Sequence, residues 1–134
     1  MTTKYLFDAS SIIRALKEIR LGPLGGQAIQ WLTLYEVLNA IWKESTLLHI
    51  LTTEEALSLI NDFLDLIREM VVLEIRDLER DIIQLAIARK MTVYDASYIA
   101  LAVKHKLTLV TEDKELLNKS RDLIHAVSLD YVRL

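Results

Sequence analysis

The stretch Thr92–Glu115, TVYDASYIALAVKHKLTLVTEDKE, decides the fold. It reads as a helix, a short turn, a β-branched strand, a second turn and the opening of another helix. Asp95 falls in the first turn of the helix, and Asp113 falls just past the end of the strand. A strand that leads at its carboxyl end into a helix is the repeating unit of a parallel α/β sheet, and sites in such sheets form at the strand C-termini. Two acids from separate elements are thereby directed to one edge. Asp8 in YLFDASSI and Glu36 in WLTLYEVLNA have the same placement elsewhere in the chain.

Outward from this stretch the pattern repeats. Residues 4–7 predict a first strand ending at Asp8. Residues 10–19 carry Ile12, Ile13, Leu16 and Ile19 at helical spacing, with a charged outer face. The segment 21–26, LGPLGG, holds all three glycines and the only proline, so it is a loop. Residues 27–32 predict a second strand, 33–44 a helix, 45–52 a connection and 53–69 a long amphipathic helix. A third strand follows at 71–75, and Asp77 is expected to cap a helix running to Lys90. The fourth strand spans 107–111, a short helix 114–120 and the fifth strand 125–129. The alternation predicts one domain over residues 1–134, an α/β fold built as a three-layer α/β/α sandwich with a central parallel sheet of about five strands.

Composition bounds the function. The 134 residues are 52% hydrophobic and 26% charged, a globular balance that excludes a disordered chain. Cysteine is absent, which excludes a disulfide framework and a thiolate metal site and suits a reducing compartment. The first ten residues show no signal-peptide core, and no apolar run approaches the roughly 20 residues that span a bilayer. A soluble cytoplasmic protein with no membrane partner is therefore expected. The balance of 16 Lys+Arg against 19 Asp+Glu is not that of a dedicated nucleic-acid binder. A nuclease centre, however, carries its own negative cluster, offset by cations.

Taken singly, each acid has a purely structural account. Asp8 can cap the first helix. Thr33-x-x-Glu36 and Thr92-x-x-Asp95 have the form of capping boxes, and Asp113 can cap the last helix. Jointly they pose a different problem, because unpaired carboxylates gathered at one sheet edge raise one another's pKa. A bridging divalent cation relieves that repulsion. Oxygen donors, with His49, His105 and His125 scattered away from ligand spacing, point to Mg²⁺ or Mn²⁺ rather than zinc. Such ions neutralise a phosphate and lower the pKa of a water, which is what phosphodiester hydrolysis needs.

Asp8-Ala9-Ser10, Glu36, Tyr94-Asp95-Ala96-x-Tyr98-x-Ala100-x-Ala102 and Thr111-x-Asp113 together resemble the motifs of PIN-domain ribonucleases, in particular the VapC-type toxins of prokaryotic toxin–antitoxin pairs. The resemblance spans residues 5 to about 129. It implies a Mg²⁺- or Mn²⁺-dependent endoribonuclease with Asp8, Glu36, Asp95 and Asp113 as the catalytic and metal-binding acids. Ser10 and Thr111 match the supporting hydroxyls. It further implies an RNA substrate, a homodimer and a small antitoxin partner. Glu112 stands beside Asp113, and either acid could face the metal. The alternative function is a non-catalytic PIN-like module that binds RNA or protein.

The remaining residues have plainer readings. Tyr98, Ala100 and Ala102 are expected to pack against the sheet. Trp31 and Trp42 read as core or interface anchors rather than base-stacking platforms. Arg14, Lys17, Lys43 and Lys114 form either a phosphate rim or a solvated face. Leu34, Val37, Leu38, Ile41 and Trp42, with Leu57, Leu59 and Leu64, exceed what one buried stripe needs, so a groove for an antitoxin helix is expected there.

Overall fold

The computed structural model describes residues 2–133. Along the chain, β1 (Tyr5–Phe7) leads into α1 (Ala9–Lys17), and β2 (Ala28–Gln30) into α2 (Trp31–Thr46). Next come α3 (Thr53–Arg68), β3 (Val71–Leu73), α4 (Glu79–Arg89) and α5 (Val93–His105). Then follow β4 (Thr108–Val110), α6 (Lys114–Ser120) and β5 (Ala126–Val127), and a short 3-10 turn at Leu129–Tyr131 comes last. The strands form one five-stranded sheet in the order β3-β2-β1-β4-β5. Every pairing is parallel, as the strand–helix alternation requires.

Successive strand residues feed opposite faces. Leu6, Ala28 and Leu109 pack with Ile82, Ala86 and Ile99 of α4 and α5. Phe7, Ile29 and Val110 pack with Ile12, Val37 and Phe63 of α1, α2 and α3. Both faces are therefore covered, which explains short, wholly apolar strands and makes the expected three layers. No helix of the described residues is long and apolar enough to cross a membrane.

The strand order places the site. The chain runs outward from β1 through β2 to β3, then returns to the other side of β1 for β4 and β5. The crevice at the carboxyl ends of β1 and β4 is thus the topological switch point, where ligands bind in open α/β sheets. Asp8 and the Thr111–Asp113 turn lie there.

The strands are shorter than expected, β3 ending at Leu73 and β5 spanning only Ala126–Val127, and two further boundaries bear on the site. The second strand was expected to reach Leu32 and the helix to open at Thr33; instead α2 begins at Trp31. Gln30 is its N-cap, and the Thr33 hydroxyl accepts the Gln30 N–H at 3.2 Å. Thr33 therefore closes the helix start backward and does not open a box with Glu36, which moves into the second turn. Asp77 does not cap α4: it takes a left-handed φ of 71° and the helix starts after Leu78. The expected capping chemistry occurs instead on α3, where Thr52 and Glu55 form a reciprocal box.

Candidate active site

Asp8 is the N-cap of α1, and its carboxylate also ties β1 to β4. Oδ1 accepts from the Ser10 hydroxyl at 2.7 Å and the Ser11 N–H at 3.0 Å, while Oδ2 accepts from the Thr111 hydroxyl. Thr111 Oγ1 in turn accepts the Asp113 N–H at 3.0 Å, and Ser10 Oγ accepts the Glu112 N–H at 2.9 Å. The two hydroxyls thus stitch the β1–α1 turn to the β4–α6 turn. Ser11 adds a further stitch that sequence reading missed, its Oγ lying 2.9 Å from the Val110 carbonyl. Burial pushes the Asp8 carboxyl above the usual carboxylate range, against the hydrogen bonds from Thr111, Ser10 and Ser11.

Asp95 sits at the third position of α5. The Thr92 hydroxyl accepts the Asp95 N–H at 3.1 Å, but no reciprocal bond from the carboxylate completes a capping box. The carboxylate is therefore left half-buried with no hydrogen bond back to the helix start. Burial raises its pKa, and Asp113, Asp8 and Glu115 raise it further; Lys119 opposes them.

Glu36 accepts from the Tyr98 hydroxyl at 2.6 Å. Tyr98 Oη lies 2.8 Å from Thr33 Oγ1; since the one phenolic proton goes to Glu36, the Thr33 hydroxyl donates to Tyr98 while accepting the Gln30 N–H. This relay runs from the α2 N-terminus through Tyr98 to Glu36. Tyr98 packs in the core as expected, yet it also carries this polar role, which its place in an apolar helix concealed. Burial, then the Glu36 charge, holds its phenol far above the ordinary value, so it stays a donor. Glu36 itself is raised by burial, with Asp8 and Asp95 adding to the effect and Tyr98 opposing it. Tyr98→Phe is expected to free Glu36 and lower cleavage by about 10–100-fold, the usual range for a group that orients a ligand-bearing acid. Thr33→Val should mimic it only in part; equal activity of Tyr98→Phe and wild type would remove Tyr98 from the site.

Glu112 and Asp113 separate cleanly. Glu112 pairs with Arg14 and accepts the Leu129 N–H at 2.8 Å, turning toward α1 and the chain's end. Asp113 remains at the sheet edge, with Oδ1 capping α6 through the Glu115 and Leu116 N–H groups at 2.9 and 3.2 Å. Glu112→Gln is accordingly expected to lower the melting temperature and leave any Mn²⁺-induced shift in place, whereas Asp113→Asn should shrink that shift. Thermal melts with EDTA and with Mn²⁺ distinguish the two.

The four acids Asp8, Glu36, Asp95 and Asp113 share one local field, since Asp95 responds to Asp113 and Asp8, and Glu36 to Asp8 and Asp95. As placed, no three His, Asp or Glu among the described residues lie close enough to hold one ion. The donor chemistry nevertheless fits a hard divalent cation, being oxygen alone. Of the expected basic rim, Arg14 pairs with Glu18, Glu112 and Asp130, and Lys17 with Glu44, so neither is free for phosphate. Trp31 and Trp42 are not core anchors; both are about half exposed.

The sequence profile of the PIN domain matches residues 5–122. The chain is 33% identical over 131 residues to a protein named exonuclease VapC9 from Pyrobaculum aerophilum, covering 96% of this chain and 95% of that one. It is 32% identical over 93 residues to ribonuclease VapC3 of the same organism, covering 69% and 70%. The crystal structure of PAE2754 from Pyrobaculum aerophilum superposes with a TM-score of 0.77 at 31% identity, over 94% of this chain and 90% of that one. The profile match runs from the first residue of β1 past the end of α6 and so takes in every turn that bears one of the acids; the chain belongs to the PIN-domain family, among relatives of VapC type.

Proposed function

We propose that this single-domain chain is a cytoplasmic, metal-dependent endoribonuclease and the toxin of a toxin–antitoxin pair. The observation that carries the reading is the set of carboxylates at the switch point of the sheet, Asp8 raised by burial and Glu36 and Asp95 raised by burial and by neighbouring acids. Such an arrangement costs stability unless a cation answers it. Asp8, Asp95 and Asp113 would hold Mg²⁺ or Mn²⁺, with Glu36 acting through a water or on a second ion. The bound cation would neutralise the phosphate and lower the pKa of the attacking water. Ser10 and Thr111 fix the Asp8 carboxylate and favour its ionised form, and Tyr98 does the same for Glu36.

Two measurements test this. Millimolar Mn²⁺ should raise the melting temperature in proportion to the logarithm of its concentration. A circular RNA should be opened in the same buffer. No thermal shift and no cleavage would favour a non-catalytic PIN-like binding module. A linear RNA degraded beside an intact circle would favour exonucleolytic action, the reading that the name of the 33%-identical relative supports.

The partner surface is narrower than the sequence suggested. Val37 and Ile41 are in the core, and Leu34 and Leu59 pack against it. Leu38, Trp42, Leu57 and Leu64 remain exposed, and α2 presents Trp31, Tyr35, Leu38 and Trp42 along one stripe. That stripe suits an amphipathic antitoxin helix, and a homodimer is also proposed. The product of a short reading frame immediately upstream should copurify with the wild type and be lost with Trp42→Asp; capture by both would remove Trp42 from the interface.

A further inference from the structure

We propose that the cavity between Trp31 and Tyr94 is a subsite for one unstacked nucleobase of the RNA strand; this deepens the nuclease reading and rests on it. The cavity measures about 330 Å³ and is walled by Trp31, Leu73, Ile75, Val93 and Tyr94. It opens at the carboxyl ends of β2 and β3, on the same sheet edge as the acids. Tyr94 immediately precedes Asp95 in the first turn of α5, and Trp31 begins the helix that carries Glu36. A strand whose phosphate reached the acids would therefore pass a neighbouring base over this opening.

The chemistry of the walls selects the occupant. Among the described residues, Glu74 is the only charged one that lines the cavity. With no cation and one carboxylate it rejects phosphate, so the sugar–phosphate backbone is not what it takes. Its polar lining residues bond among themselves and leave the surface almost wholly apolar: Gln30 Nε2 donates to Ser97 Oγ at 2.9 Å, and Ser97 Oγ donates to the Tyr94 carbonyl at 2.6 Å. A neutral, flat, apolar-faced group fits what remains. The volume lies at the lower end of small-ligand pockets. Trp31 and Tyr94 are 56% and 57% exposed. Large aromatics left uncovered beside a phosphodiester site are what splayed bases stack on. Recognition is by stacking and tolerates every base.

The test compares an RNA that the protein cleaves with the same RNA made abasic at single positions around the scissile bond. Wild type is expected to show about a 10–100-fold higher kcat/KM for the intact strand at one of those positions, the range that stacking of one base supports. In Trp31→Ala and Tyr94→Ala that preference should collapse toward one. A preference that persists in both variants, or none in wild type, overturns the subsite and leaves the nuclease reading standing. Variants that turn a dimer into a monomer and lose both substrates equally would mark the cavity as an interface between copies, which also overturns it. If wild type cleaves no RNA, the nuclease reading fails instead, and Trp31 still reports. In Trp42→Phe, where it is the sole tryptophan, quenching by adenosine monophosphate but not by ribose 5-phosphate supports the base site, and equal or absent quenching overturns it.

Discussion

Asp95→Asn is expected to stabilise the metal-free protein while reducing RNA cleavage by more than about a hundredfold. Two effects of opposite sign compete at this position. An acid in the first turn of α5 interacts favourably with the helix N-terminus, by typically 0.3–1 kcal/mol. Against this stand burial and the charges of Asp113, Asp8 and Glu115. Burial first, and the neighbouring charges second, raise the pKa, so the charged form is worse off in the folded state than in the unfolded one. Asparagine removes the charge and keeps the shape. The loss of activity should exceed the 10–100-fold typical of groups that merely orient metal ligands, because Asp95 would hold the cation itself.

The same shifts give the pH dependence its sign. Asp8, Glu36 and Asp95 all have folded pKa values above the unfolded ones, so the folded state holds these protons to higher pH. Stability of the metal-free protein should therefore fall as pH rises from the ordinary carboxylate range through the folded values, then level off. Asp95→Asn should flatten that fall, and Mn²⁺ should flatten it in the wild type. Thermal melts across this range, in EDTA and in Mn²⁺, paired with a cleavage assay, decide the matter. A destabilised metal-free variant that cut RNA at the wild-type rate would leave helix capping as the better account of Asp95.

Thr111→Val should be the most damaging change that removes no charge. Thr111 is fully buried, and its hydroxyl both donates to Asp8 Oδ2 and accepts the Asp113 N–H. Valine matches its shape, so no cavity forms, yet the buried Asp8 carboxylate loses a partner at about 1–3 kcal/mol, and the Asp113 N–H loses one at the sheet edge. Activity should fall about 10–100-fold, because both acids lose their orientation. Loss of the bond that stabilises the Asp8 anion also raises its pKa further, so the acid limb of the pH–rate profile should move upward. Thr111→Ser should restore both the limb and most of the rate. A valine variant with wild-type activity and an unmoved profile would show that Asp8 needs no help from β4.

Local pattern accounted for much of this molecule. Short β-branched runs alternating with amphipathic segments are signals within ten or so residues, so the parallel sheet and its helices were legible. The placement of Asp8, Asp95 and Asp113 at strand ends and helix starts was legible as well, because each follows a strand or opens a helix. The start of α2 was not, since Thr33 bonds backward to Gln30 as readily as it might bond forward to Glu36, and the sequence is the same either way.

What only the tertiary structure decided depends on partners far away in the chain. Glu112 and Asp113 are adjacent acids of equal chemistry; Arg14, 98 residues distant, takes the first and leaves the second at the sheet edge. Tyr98 looked like packing because the group that uses its hydroxyl, Glu36, is 62 residues away on another helix. Trp31 read as a core or interface anchor, and only the start of α2 at this residue, which turns it outward, removed the first of these. Periodicity tells a side chain which face of its own element it occupies. Which residue meets it there is set by the order of the strands, and β1 lies between β2 and β4 because the whole chain must cover both faces of one sheet.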